Sequence, residues 1–352
     1  MEYLKGKKNF IFGGCILGVA AALLAYFGNP PNMAICAACF IRDITGALGL
    51  HMTETVQYMR PEILGMVIGA ACLALCVKEF NPQGGSAPVP RFFLGMIMMI
   101  GSLIFLGCPL RMILRLAGGD YNAVIGLLGF VTGIYTGIIF LRRGFDLGDS
   151  QTLPKAVGGI IPIIFVVMII LIPTGIYFHS VKGPGSVSAP ILLSLGVGIG
   201  LGAVFQSTRL CTSGAIRDLF LIKNTERVIP LALLFLLILI YNISFGKFNA
   251  GFAGQPIAHT EYIWNFLGLY AVGFAAILAS GCPLRQLTLL GQGNWNAAVT
   301  FAGLLAGAAL MHRLGLAASP QGVPMNGKIA LLCAIAVLFL IAFYKSRKGQ
   351  KE

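Results

Sequence analysis

The sequence predicts an all-α, polytopic membrane protein, and three observations predict it. Of 352 residues, 57% are hydrophobic and only 11% are charged. A soluble domain carries roughly 25% charged residues, so this chain cannot cover a globule with polar surface. Apolar runs of spanning length recur along the whole sequence. The charges that remain sit mostly between those runs, so the net charge of +13 reads as loop charge that fixes orientation. No basic stripe interleaved with aromatics is present, which rejects a nucleic-acid partner. The lipid bilayer is the expected partner.

The first run, residues 10–27, follows a basic start from Met1 to Lys8 as a signal peptide would. No small-residue cleavage site precedes Asn29-Pro30, so it is read as a retained helix. About ten full spans are expected: 10–27, 61–77, 91–106, 121–141, 157–178, 189–205, 228–245, 263–280, 295–313 and 328–344. Four stretches are too short to cross: 34–48, 109–116, 210–222 and 283–290. Each carries an arginine and lies between two spans, the pattern of re-entrant half-helices. Most Lys and Arg residues fall on the side of the N-terminus, concentrated in the linker 142–155 and the tail 345–352. Both termini are therefore expected to be cytoplasmic.

An internal repeat organises these elements. Cys36-Ala-Ala-Cys-Phe-Ile-Arg-Asp43 matches Cys211-Thr-Ser-Gly-Ala-Ile-Arg-Asp218, 175 residues later. Gly107-Cys-Pro-Leu-Arg111 recurs as Gly281-Cys-Pro-Leu-Arg285, and Gly119-Asp-Tyr-Asn-Ala123 as Gly293-Asn-Trp-Asn-Ala297, both 174 residues later. Matches at one spacing mark duplication. The organisation read from them is a first repeat over 1–141, a linker with span five over 142–188, a second repeat over 189–313, and an extra span with a basic tail over 314–352. Five crossings separate the two starts, so the second copy is inverted, the plan of transporters whose broken helices meet near the midplane.

The residues kept in both copies are Cys, Pro and Arg rather than packing residues. Proline fits the first turn of a helix, where its missing N–H has no partner anyway. Cys108 and Cys282 then sit at the ends of short inward helices, whose N-termini suit an anion. Arg111 and Arg285 add positive charge one turn along. Cys36 and Cys211 each precede an Arg-Asp step, Arg42-Asp43 and Arg217-Asp218, whose charges at membrane depth must pair. Four thiols on four hairpins are expected to approach one another along a central axis. Soft sulfur suits a sulfur or selenium atom, whereas hard oxyanions favour Arg and backbone N–H. The plainer reading of each arginine is a side chain snorkelling to the interface.

Cys15, Cys72, Cys76 and Cys333 lack a partner in the other copy and read as packing residues. His51, His179, His259 and His312 fall at span ends or in loops without carboxylates, which speaks against a metal site. Cys36-x-x-Cys39 has the spacing of a redox motif, but Gly214 stands where the second copy would carry its own Cys. A membrane thiol–disulfide oxidoreductase using Cys36 and Cys39, or cysteines of both repeats, is the alternative function. No quinone or haem motif accompanies it, and no cofactor is expected.

The duplicated Cys hairpins, the two Gly-Cys-Pro-Leu-Arg motifs and Gln206-Ser-Thr-Arg-Leu-Cys211 resemble the YeeE/YedE family of bacterial inner-membrane transporters, over residues 13 to 311. The resemblance implies uptake of thiosulfate through an hourglass-shaped pore, the ion passing between cysteines on re-entrant helices. It implies relay roles for Cys108 and Cys282, for Cys36 at the entrance and, by symmetry, for Cys211. Residues 28–43, with Asn29-Pro-Pro-Asn32 and the extra Cys39, and Gln57-Tyr-Met-Arg-Pro-Glu62 resemble the branch associated with selenium metabolism. The expectation is a transporter rather than an enzyme, carrying a small selenium or sulfur species. Its pathway residues are Cys36, Cys108, Cys211, Cys282, Arg42, Arg111, Arg217, Arg285 and Gln206, with Cys39, Asp43 and Asp218 as auxiliaries. A cytoplasmic sulfur- or selenium-carrier protein is a further candidate partner.

Overall fold

Long apolar runs become long helices and the four arginine-bearing stretches become short ones in a computed structural model that describes residues 2–30 and 32–349. Pro31 of the lead-in and Lys351 of the basic tail lie outside the described residues. The long helices are α1 (Glu2–Tyr26), α3 (Pro61–Cys76), α4 (Pro88–Phe105), α6 (Asn122–Arg142), α7 (Lys155–Ile170), α8 (Ile191–Thr208), α10 (Ile229–Ser244), α11 (Tyr262–Leu278), α13 (Trp295–Arg313) and α14 (Met325–Gly349). The short ones are α2 (Ala37–Ala47), α5 (Pro109–Ala117), α9 (Thr212–Ile222) and α12 (Pro283–Gly291). At 9 and 11 residues they reach about 14 and 16 Å, half of a ~30 Å hydrocarbon core.

Among the described residues nine helical stretches are long and apolar enough to cross a membrane, and α3 is a shorter apolar helix of 16 residues. The chain is a multi-pass, all-helical membrane protein. Two local features depart from expectation. The fifth span stops at Ile170 rather than reaching residue 178, because Pro173 sits in a single 3-10 turn (Ile172–Thr174) and Gly175 follows in the left-handed region at φ 72°. Proline offers no N–H to continue the helix. A two-residue antiparallel ladder, β1 (Gln83–Gly84) with β2 (Gln151–Thr152), joins two loops; strands so short leave no readable period.

Helix contacts come in related pairs. α3 packs on α8 as α10 packs on α1, and α6 on α11 as α13 on α4; α12 lies on α3 as α5 lies on α10. Exchanging each helix with the one seven places along maps one set onto the other. Glycine makes the closest of these contacts possible. Gly129 and Gly133 on α6 face the carbonyls of Phe266 and Tyr270, and Gly202 on α8 faces that of Met66; a Cβ at any of them would overlap the carbonyl. Such small-residue approach is how helices associate where no hydrophobic force separates protein from lipid.

The loops gather at two ends. At one, Phe178 donates to the Ala47 carbonyl, Gly185 to Thr55, and Ala318 to Leu103. At the other lie the β ladder and the Asn296 side chain bonded to Ser150. The short helices touch in pairs, α2 with α12 and α5 with α9. Every residue of α2 is buried.

Candidate functional site

Each short helix begins at a cysteine. Cys36 and Cys211 cap α2 and α9, their sulfurs accepting the N–H of Cys39 and Gly214, both at 3.4 Å. Cys108 and Cys282 are the N-caps of α5 and α12, with proline in the first turn. The chain reaches both through the same bend: Leu106 and Ser280, 174 residues apart, take positive φ of 63° and 61°. Those bends bring the caps together. The Cys36 sulfur lies 3.6 Å from that of Cys108 and accepts its N–H at 3.5 Å. The Cys211 sulfur lies 3.6 Å from that of Cys282 and accepts its N–H at 3.4 Å. Two helix N-termini therefore converge on each thiol pair, concentrating partial positive charge there.

The Arg-Asp steps also act alike. Asp43 accepts from Arg42 at 2.6 Å and from Arg60 at 2.8 Å. Asp218 accepts from Arg217 at 2.8 Å and from Arg227 at 2.5 Å. The first trio is buried; in the second, Arg217 and Arg227 are 32% and 38% exposed. Arg60 also lies over the rings of Phe40 and Tyr58, at 4.6 and 4.8 Å.

The arginines one turn beyond the capping cysteines differ sharply. Arg111 is wholly buried. Its Nε and Nη2 donate to the Asn32 carboxamide oxygen at 3.1 and 2.7 Å, Nη2 also to the Ile257 carbonyl, and Nη1 to the Leu106 carbonyl and the Cys39 sulfur. Arg285, by contrast, keeps Nη1 buried with no hydrogen-bond partner. It lines a cavity of about 240 Å3 together with Arg209, Cys211, Ser213, Arg217 and Arg227. At the opposite end a cavity of about 500 Å3 is lined by Arg42, Thr53, Leu106, Ile257 and His312. Cys36 and Cys108 lie buried behind it and do not line it.

The four repeated cysteines are thus brought together as two pairs rather than as one row. Cys39 joins the first pair through Arg111, and Gly214 stands at its place in the second. Gln206 is directed elsewhere, donating to Glu79 at 3.0 Å and accepting from Gln292 at 2.8 Å. Cys15, Cys72, Cys76 and Cys333 lie on exposed faces. Among the described residues no group of three His, Cys, Asp or Glu is placed to hold a metal ion. Sequence reasoning missed Arg60, Arg227, Asn32 and the buried Arg115–Asp120 pair at 2.6 Å. One signal was available for the first two. A carboxylate at membrane depth needs more than one donor, and each Arg-Asp step is followed by an arginine just before the next span.

The helices and paired sites define a class: a multi-pass membrane protein whose broken helices present thiols and arginines to its interior. Residues 207–346 match the family model described as sulphur transport. A stretch of 175 residues is 27% identical to the thiosulfate transporter TsuA of Escherichia coli (strain K12), covering 46% of this chain and 48% of that protein. The chain spans about half the length of the curated relative it matches. The chain is thus similar to the sulphur-transport family over residues 207–346 and to a thiosulfate transporter over 175 residues. The family match ends at residue 346, within α14.

Proposed function

We propose that the chain is an inner-membrane importer of a small sulfur- or selenium-bearing anion, built of two inverted halves over 1–141 and 189–313. The linker with α7 joins them, the segment 314–352 adds α14, and both termini are cytoplasmic. The observation that carries the reading is the doubled cap: at each thiol pair two helix N-termini and two cysteine sulfurs meet within 3.6 Å, with an arginine one turn away. Such a site offers positive potential to the oxygens of an anion and a soft contact to its chalcogen atom. The cargo enters at the end where Arg42 lines a cavity, meets Cys36 and Cys108, passes to Cys282 and Cys211, and leaves past Arg285 and Arg217. The relatives support thiosulfate as the type of cargo. Cys39 and the lead-in 28–36 support a selenium species as the preferred member of that class, because an added thiol favours the larger, more polarisable atom. A thiosulfate-carrying relative gives no support to the oxidoreductase alternative.

The test is uptake of labelled thiosulfate, selenite and sulfate in cells lacking other permeases for them, by the native chain and by Cys108→Ser and Cys282→Ser. Thiosulfate or selenite uptake, with sulfate excluded and each serine variant at least about ten-fold slower (~1.4 kcal/mol of barrier), is the expected result. Uptake that ignores both substitutions contradicts the relay.

A further inference from the structure

The fork of Arg111 is already occupied by the protein itself. One oxygen, Asn32 Oδ1, accepts from both Nε and Nη2 at 3.1 and 2.7 Å, the contact a guanidinium makes with a carboxylate or oxyanion oxygen. At the equivalent of Asn32 in the second half, 175 residues on, Ser207 bonds back to the Val204 carbonyl of its own helix, and Arg285 Nη1 stays unpartnered. Asn32 also stands at a boundary. A cavity of about 260 Å3 is lined by Asn29, Asn32, Lys247, Gln255 and Pro256, and Arg111 is not among its lining residues. Asn32 therefore borders both an open volume that carries a lysine and the buried Arg111, which also donates to Cys39.

The lead-in that carries Asn32 has one fixed end and one light one. Asn29 is buried and bonded to Glu62 at 2.8 Å, to the Ala34 carbonyl at 3.0 Å and to the Ala189 N–H at 2.9 Å. Beyond its bonds with Arg111, the Asn32 side chain makes one further hydrogen bond, to the Pro256 carbonyl at 2.9 Å. Its φ of 50° lies in the left-handed region, which asparagine tolerates better than most residues.

We propose that Asn32 is an internal surrogate for the anion: its carboxamide fills the Arg111 seat, and the first thiol pair receives a small oxyanion only when Asn32 withdraws. This inference rests on the transport reading above and adds a gate to it. The incoming oxyanion replaces the carboxamide oxygen at the same two N–H groups, so Arg111 is never left without an acceptor. Charge decides the exchange, because an anion bonds a guanidinium more strongly than a neutral amide does.

The full chain, purified in detergent, is treated with an anionic methanethiosulfonate, and modification is followed at each cysteine, Cys211 serving as internal reference. Asn32→Gly keeps the left-handed backbone and removes the carboxamide; it is expected to speed modification of Cys36 and Cys108 about ten-fold relative to Cys211. Asn32→Asp, a charged partner for Arg111, is expected to slow it below the native rate. If both variants speed it, the loop is merely loosened and the proposal falls, as it does if neither changes it. If Asn32→Gly fails to fold, the slowing in Asn32→Asp decides alone. Opposite shifts sustain the gate even in a chain that takes up no thiosulfate, and thiosulfate uptake with unshifted labelling removes the gate while leaving transport intact.

Discussion

At the first thiol pair Arg111 is buried and donates to Asn32, Leu106, Ile257 and Cys39; at the second, Arg285 keeps a buried nitrogen without a partner and lines an open cavity. The caps themselves barely differ, with matching bends, matching sulfur acceptors and the same 3.6 Å between sulfurs. The repeated motifs therefore fix the geometry of the thiols, and the surroundings fix access to them. One chain shows the same device closed at one end and open at the other.

The comparison breaks most easily at its carboxylates. Asp43→Asn leaves Arg42 and Arg60 buried without their charge partner, whereas Asp218→Asn leaves two arginines that water already reaches. The first is expected to cost about 3–5 kcal/mol and the second about 1 kcal/mol or less. Thermal unfolding of the two variants side by side measures the difference, and equal losses would erase the contrast between the sites. Next are the arginines. Arg111→Ala orphans several buried acceptors at about 1–3 kcal/mol each and should lower the unfolding temperature. Arg285→Ala should leave that temperature within about 2 °C of the native value while removing any stabilisation by added thiosulfate. The smallest effect is expected where the first hairpin carries a thiol that the second lacks. Cys39→Gly, which places at this position the residue the second hairpin carries, should keep thiosulfate uptake within about two-fold, or ~0.4 kcal/mol, and lower selenite uptake relative to it. An unchanged ratio would separate Cys39 from cargo choice.

The spans and half-helices were legible because run length and the Cys-Pro start are local signals. α5 and α12 begin at Pro109 and Pro283, where expected. The end of the fifth span was less so, since α7 tolerates Pro162 in its interior yet stops before Pro173, so a proline alone does not mark the end. Of the site, the repeat exposed the cysteines and the Arg-Asp steps. It could not show that Cys36 meets Cys108, or that Gln206 turns to Glu79 and Gln292, because those contacts are set by how hairpins seat against other helices. Asn32 was invisible as a partner of Arg111 for the same reason: 79 residues separate them, and no copy of the pair exists in the second half.

Alkylation of Cys211 in the purified chain, with and without thiosulfate, tests the central claim most directly. Cys211 is partly exposed and shares its cavity with Arg285. At a thiosulfate concentration about ten times Kd the rate at Cys211 should fall about ten-fold, and the protection should vanish in Arg285→Ala. A rate at Cys211 that thiosulfate and selenite both leave unchanged would contradict the assignment of this thiol pair as the place where the anion meets the protein.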